Sequence, residues 1–219
     1  WIETQYIEGL SLTQHIETHG PMSRPAAQAL LYRLAGILSQ LHEGDVAHRD
    51  VTPNNVILGR QGPVLVDFGT ARFDPEHPIT GSQVLHGTEG YTPPEAKEGT
   101  VGIGGDIYQL SQIWKFVLTG QHPSPLHDVP LDGVGHEALQ RAAAEDPRDR
   151  PEASELAQIF DCDPSKFYEQ WFEQPELPLL PRRIPPSSLA MAAIVPVVAT
   201  VGIGWMFWPE ARETNEAAP

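Results

Sequence analysis

The clearest periodic pattern in the chain runs over residues 25–41, where Leu30, Leu34, Ile37, Leu38 and Leu41 fall on one face at helical spacing. Ser23 stands at the capping position and Pro25 fits a first turn, whose N–H groups have no intrahelical partner. Two short apolar runs, residues 55–58 and 63–66, flank the turn 59–62 and predict a small hairpin. Residues 106–118 predict a buried helix ended by Gly120, and residues 135–144 and 152–159 predict two more. Residues 1–160 thus read as one α+β domain, mainly helical.

Beyond Cys162 the pattern changes. Phe167, Tyr168, Trp171 and Phe172 recur about one turn apart, which predicts a short aromatic helix. Glu169 and Glu173 beside them disfavour anionic lipid, so this helix is expected to pack back on the domain. Pro175, Pro178, Pro181, Pro185 and Pro186 then rule out continuous helix, and residues 161–188 read as a Pro-rich linker. Residues 189–208 carry no charge. About 20 helical residues span about 30 Å, the thickness of a bilayer's hydrocarbon core. Arg182 and Arg183 precede this stretch, and Trp205, Phe207 and Trp208 crowd its far end. The pattern predicts one transmembrane helix, with its N-terminal side cytoplasmic and residues 209–219 forming a short extracytoplasmic tail. Pro196, Gly202 and Gly204 weaken a soluble helix but are tolerated in lipid.

Charge narrows the function classes. The 29 acidic residues outweigh 14 basic ones, for a formal net charge of −15, which argues against nucleic acid as a partner. Hydrophobic residues make up 40% of the chain, enough for a substantial core. The single cysteine, Cys162, excludes an intrachain disulfide framework. The first residue is Trp1 and no signal peptide follows it, so the sequence is expected to be part of a longer or processed reading frame.

Candidate chemistry lies in residues 48–95. His48-Arg49-Asp50-Val51-Thr52-Pro53-Asn54-Asn55 fits the pattern H-R-D-x-x-x-x-N; Asp67-Phe68-Gly69 follows, and then Gly87-Thr88-Glu89-Gly90-Tyr91-Thr92-Pro93-Pro94-Glu95. Either of the first two motifs alone occurs by chance; all three in this order are specific. On these residues the chain resembles the Ser/Thr protein kinases, near the bacterial membrane-anchored branch. The resemblance covers the C-terminal lobe and implies the protein kinase-like fold, a cell (inner) membrane location, and ATP and Mg2+ as cofactors. Phosphoryl transfer is mostly positioning and charge neutralisation. The resemblance implies that Asp50 accepts the substrate hydroxyl's proton and that Asn55 and Asp67 supply hard oxygen ligands to magnesium. It further implies that His48 packs on Phe68, that Arg49 senses a phosphate on the activation segment, and that Thr88 helps hold Asp50. Thr80 and Ser82 are candidate phosphorylation sites.

Residues 6–12 resemble the kinase hinge. There the backbone around Gln5 and Ile7 would bind adenine, Thr4 would gate the pocket behind it, Glu8 would lie near the ribose and Ile57 would form the adenine floor. Downstream, Asp106-Ile107-Tyr108-Gln109-Leu110 resembles the start of the central helix, whose aspartate anchors the catalytic loop. Asp146-Pro147-Arg148-Asp149-Arg150-Pro151 resembles the late motif whose arginine pairs with Glu95. Gly99, Gly102, Gly104 and Gly105 are expected to form a turn, not a phosphate loop. His15 and His19, at metal-ligand spacing without a third ligand, are expected on a solvated face.

Two departures from the family pattern stand out. The three lysines, Lys97, Lys115 and Lys166, all follow the catalytic loop, so the ATP-binding lysine and most of the upper lobe lie outside this sequence. Residues 1–219 alone are therefore expected to catalyse poorly, while the parent protein phosphorylates Ser or Thr of other proteins. Thr52 stands where Ser/Thr kinases usually carry a lysine. A membrane-tethered pseudokinase that only binds partners is the alternative. A small-molecule kinase is disfavoured by Arg49 and by the motif ending at Glu95.

Overall fold

A computed structural model describes residues 6–73, 88–99, 101–123 and 135–172. Within them the chain forms an α+β domain in which helices pack around a common apolar core and the strands form two small sheets. Strand β1 (Gly9–Ser11) leads into α1 (Leu12–His19) through a reciprocal capping box. The Ser11 hydroxyl accepts the Gln14 N–H at 3.2 Å, and the Ser11 N–H donates to Gln14 Oε1 at 2.9 Å.

The helix expected over residues 25–41 is α2 (Arg24–Glu43), with Pro25 in its first turn. Ser23 holds the N-cap position without a side-chain hydrogen bond. Leu30, Leu34 and Leu38 are fully buried as the pattern requires, and Ala27, Leu31 and Ala35 widen the buried face. A face this wide reflects contacts with two helices, α3 (Ile103–Thr119) and α5 (Ala153–Ile159). Helices α4 (His136–Ala142) and α6 (Ser165–Trp171) complete the described set.

Short strands β2 (Val46–Ala47) and β5 (Arg72–Phe73) pair antiparallel, with Ala47 opposite Arg72. The predicted hairpin is β3 (Val56–Gly59) and β4 (Gly62–Leu65), with Ile57 opposite Val64. Strand β1 adds to its free edge, setting Ser11 opposite Ile57. Alternation sends Val56 and Leu58 into the core, and Ile57 remains half-buried on the other face.

Two expectations are corrected here. Gly104 and Gly105 are not a turn: α3 begins at Ile103 and contains both. A Cβ on Gly105 would come within 2.4 Å of Val101 Cγ1, so the close approach of the preceding loop requires glycine there. His15 is not solvated; it is 7% exposed and stacks on His19 at 4.6 Å. The aromatic helix does pack back on the domain as α6, with Trp171 buried. Among the described residues no helix is long and apolar enough to cross a membrane. The Pro-rich linker after residue 172 and the stretch 189–208 lie outside the described residues.

Candidate functional site

The catalytic loop hangs from the first turns of α3. Asp106, fully buried, accepts the backbone N–H of His48 at 2.8 Å and of Arg49 at 2.7 Å, and its Oδ2 also lies 2.9 Å from His42 Nε2. One helical turn on, Gln109 accepts the Val51 N–H at 2.8 Å and donates to the Arg49 carbonyl at 3.1 Å. Positions i and i+3 share a helix face, so both side chains reach the same loop. Together they hold Arg49 at φ 70°, a left-handed conformation that costs a non-glycine residue about 1–2 kcal/mol.

With the loop fixed this way, the predicted acid–base and metal residues converge. Asn55 Nδ2 donates to the Asp50 carboxylate at 2.7 Å and to the Asp50 carbonyl at 2.9 Å. The Asn55 carbonyl accepts the Val66 N–H at 2.8 Å, which brings the residue before Asp67 against the loop. His48 Nε2 lies 3.1 Å from the Val66 carbonyl, and its Nδ1 accepts the Asp50 N–H at 3.4 Å. The ring meets Phe68 edge-on at 4.7 Å, as the resemblance implied. Thr70 Oγ1 adds a bond to the His48 carbonyl at 3.0 Å. Burial holds the His48 imidazole below its ordinary pKa of 6.5, against the opposing pull of Asp106, Asp50 and Asp67. A neutral ring with its proton on Nε2 satisfies both hydrogen bonds at once.

Asp67 sits exposed in a left-handed turn at φ 62°, where its Oδ1 accepts the Gly69 N–H at 3.1 Å. Asn55 uses its Nδ2 on Asp50 and Asp67 uses Oδ1 on its own turn; among the described residues no hydrogen bond engages Asn55 Oδ1 or Asp67 Oδ2. Both are hard oxygen donors, the ligand type magnesium prefers.

Of the residues expected to take the nucleotide, Ile57 lies on the sheet face away from the core. Ile7 is half-buried against β3, with its Cγ2 3.3 Å from where a Cβ on Gly59 would stand. Glu8 is exposed. Gln5, Thr4, Thr80 and Ser82 lie outside the described residues. Thr88 is half-buried, and its carbonyl accepts the Tyr91 N–H at 2.9 Å. Among the described residues no hydrogen bond joins Thr88 to Asp50. Thr52 is 1% exposed, so this side chain faces the interior.

Glu95 and Arg150 form the expected brace. The guanidinium meets both carboxylate oxygens, at 2.7 and 2.8 Å, with both side chains buried. Its remaining donors reach the carbonyls of Ala144 at 2.9 Å, Gly104 at 2.9 Å and Glu145 at 3.2 Å, and its plane lies 5.2 Å from the Tyr108 ring. A guanidinium satisfied on every N–H tolerates this depth of burial. Arg49 contrasts with it: its Nε is buried without a hydrogen-bond partner, and burial together with Arg72 depresses its pKa.

Two residues that hold the loop carry no role in the sequence motifs. Gln109 was visible only as a polar residue one turn after Asp106, on a helix otherwise rich in apolar residues. His42 closes α2, and nothing in its local sequence links it to Asp106, 64 positions away.

A loop hung from a buried helix by an aspartate, facing an Asp-Phe-Gly turn and braced by an Arg–Glu pair, defines the large lobe of a protein kinase. The protein kinase domain model matches residues 1–161, and the chain belongs to that family. It is 30% identical over 178 residues to the probable serine/threonine-protein kinase PkwA of Thermomonospora curvata, covering 81% of this chain and 22% of that protein. It is 31% identical over 170 residues to the serine/threonine-protein kinase PknA of Nostoc, covering 68% of this chain and 30% of that protein. Similarity to the serine/threonine-protein kinase PrkC of Bacillus subtilis is 29% over 151 residues, covering 67% and 22%. The chain thus spans less than a third of each of these relatives.

Proposed function

We propose that this chain is the catalytic lobe of a kinase that transfers the γ-phosphoryl group of ATP to Ser or Thr hydroxyls of proteins. The observation that carries this reading is the Asn55–Asp50 bond at 2.7 Å, beside the Asp67 turn. Asp50 accepts the hydroxyl proton as the substrate oxygen bonds to phosphorus and the bond to the ADP oxygen breaks. Asn55 Nδ2 keeps the carboxylate aimed, and Ile57 with the hinge around Ile7 and Glu8 holds the base and ribose. Asn55 Oδ1 and Asp67 would hold magnesium, which when bound would neutralise charge on the phosphates. Arg49, buried beside Arg72 with an unpaired Nε, is suited to a phosphate on the activation segment.

Completing the site requires a lysine that this sequence does not supply, because its first lysine is Lys97. Residues 1–219 by themselves therefore transfer phosphate poorly. In the parent protein the linker and residues 189–208 tether the lobe to the cytoplasmic face of the inner membrane. A pseudokinase binding module is the second reading, favoured by Thr52 in place of the usual lysine.

The deciding test is incorporation of labelled phosphate from ATP into protein by the intact protein and its Asp50→Asn variant. Kinase activity predicts transfer that falls at least about 10²-fold in the variant. Equal transfer by both would remove Asp50 from the mechanism, and none by the intact protein would favour the binding module.

A further inference from the structure

Helix α6 begins at Ser165, beyond the last residue matched by the kinase domain model. Its aromatic residues serve no part of the mechanism above, yet they are not spent on the central core alone. They close on the turn between β3 and β4, the strand pair that carries Ile57.

That turn is built thin. A Cβ on Gly62, at φ +110°, would fall 2.7 Å from Tyr168 Cζ, so only glycine lets the ring seat there. At the other end of the turn, the same construction on Gly59 meets Ile7 Cγ2 at 3.3 Å. Ile7 of the hinge segment and Tyr168 of α6 therefore both press on this turn. Arg60, at the turn's tip, lies 4.4 Å over the Phe172 ring. Trp171 stacks on Phe167 at 5.6 Å, packs against Tyr168 at 6.0 Å and is 2% exposed, which fixes the Tyr168 ring.

We propose that α6 is a clasp on the floor of the nucleotide site, in which Tyr168, Trp171 and Phe172 are positioning residues that set the register of Ile57 against the hinge. The inference rests on the kinase reading for its nucleotide, while the clasp on the hairpin stands on contacts alone. It follows that the catalytic lobe extends to Phe172 and that nucleotide affinity responds to the segment following the matched domain.

The test uses the intact protein with Tyr168→Ala, the conservative Tyr168→Phe, and the milder pair Arg60→Gln and Phe172→Leu. Amide hydrogen exchange is read across the domain, and MgATP binding is measured by calorimetry. The clasp predicts that Tyr168→Ala loses protection in residues 56–65 and 9–11 but keeps it in α2 and α3. Its Kd for MgATP rises about tenfold, and Tyr168→Phe restores both readouts. If Tyr168→Ala does not fold, Arg60→Gln and Phe172→Leu must each show the same local loss to a smaller degree, with no further loss when combined. Unchanged hairpin protection, or protection lost evenly across the domain, overturns the clasp. A loosened hairpin with unchanged Kd overturns the positioning role. Absence of MgATP binding by the unaltered protein sinks the kinase reading instead, and exchange then decides the clasp on its own.

Discussion

Asp106 accepts the backbone N–H of Arg49 at 2.7 Å, and this bond helps hold Arg49 in its left-handed conformation, one residue before the proposed base. The other carboxylate oxygen takes the His48 N–H. An Asp106→Asn variant keeps the shape but turns one of those acceptors into a donor facing an N–H group. It is expected to lose about 1–3 kcal/mol of stability, read as a lower urea midpoint with unchanged slope. Phosphoryl transfer should fall further than stability does, because the loop geometry goes with the bond.

Gln109 holds the next peptide of the same loop through two hydrogen bonds. Gln109→Leu fills the space but strands the Val51 N–H and the Arg49 carbonyl. A loss of about 1–3 kcal/mol for each stranded group is expected in urea unfolding. An unchanged midpoint would show that the loop is held without it.

The Arg150–Glu95 pair predicts an asymmetry between replacements. Glu95→Gln or Arg150→Ala leaves one buried group uncompensated and should cost about 3–5 kcal/mol. Arg150→Lys should recover little, because an ammonium cannot meet both carboxylate oxygens and three carbonyls in a plane. Thermal melts of the three variants side by side check the order.

His48 makes stability fall in acid. Its folded pKa lies below the ordinary 6.5 because burial disfavours the charged ring. Below about pH 6.5 the unfolded chain binds a proton here that the folded chain resists. The contribution is intact above pH 6.5 and declines as pH drops toward the folded value, at no more than about 1.4 kcal/mol per pH unit. Nitrogen-15 histidine spectra should show the neutral ring, with the proton on Nε2, persisting to lower pH than a free imidazole. A ring that titrates at the ordinary value would contradict the burial argument.

Asn55→Asp keeps an oxygen ligand for magnesium but sets a second carboxylate against Asp50. Like charges at hydrogen-bond distance force one of them to hold a proton. Turnover by the intact protein should fall about 10²-fold with its ATP KM little changed, measured by initial rates.

The sequence by itself determined what depends on local order. Periodicity in residues 25–41 specified α2, because an amphipathic stripe has one economical conformation. The paired apolar runs specified the β3–β4 hairpin, and the ordered motifs around Asp50, Asp67 and Glu95 specified the family, because three motifs in fixed order are unlikely to arise by chance. The aromatic spacing specified α6 in the same way.

What only the tertiary structure decided concerns groups distant in the chain. His42 meets Asp106 where α2 crosses α3, and Tyr168 meets Gly62 where α6 packs on the β3–β4 turn, and no local pattern encodes such a meeting. The glycines before Asp106 read as a turn since glycine is a poor helix former; close packing on Val101 overrode that propensity at Gly105. His15 read as solvated because polar residues favour water, yet α1 turns it inward onto a second ring. Propensity and spacing act within a few residues, whereas burial is settled by whatever the rest of the chain brings alongside.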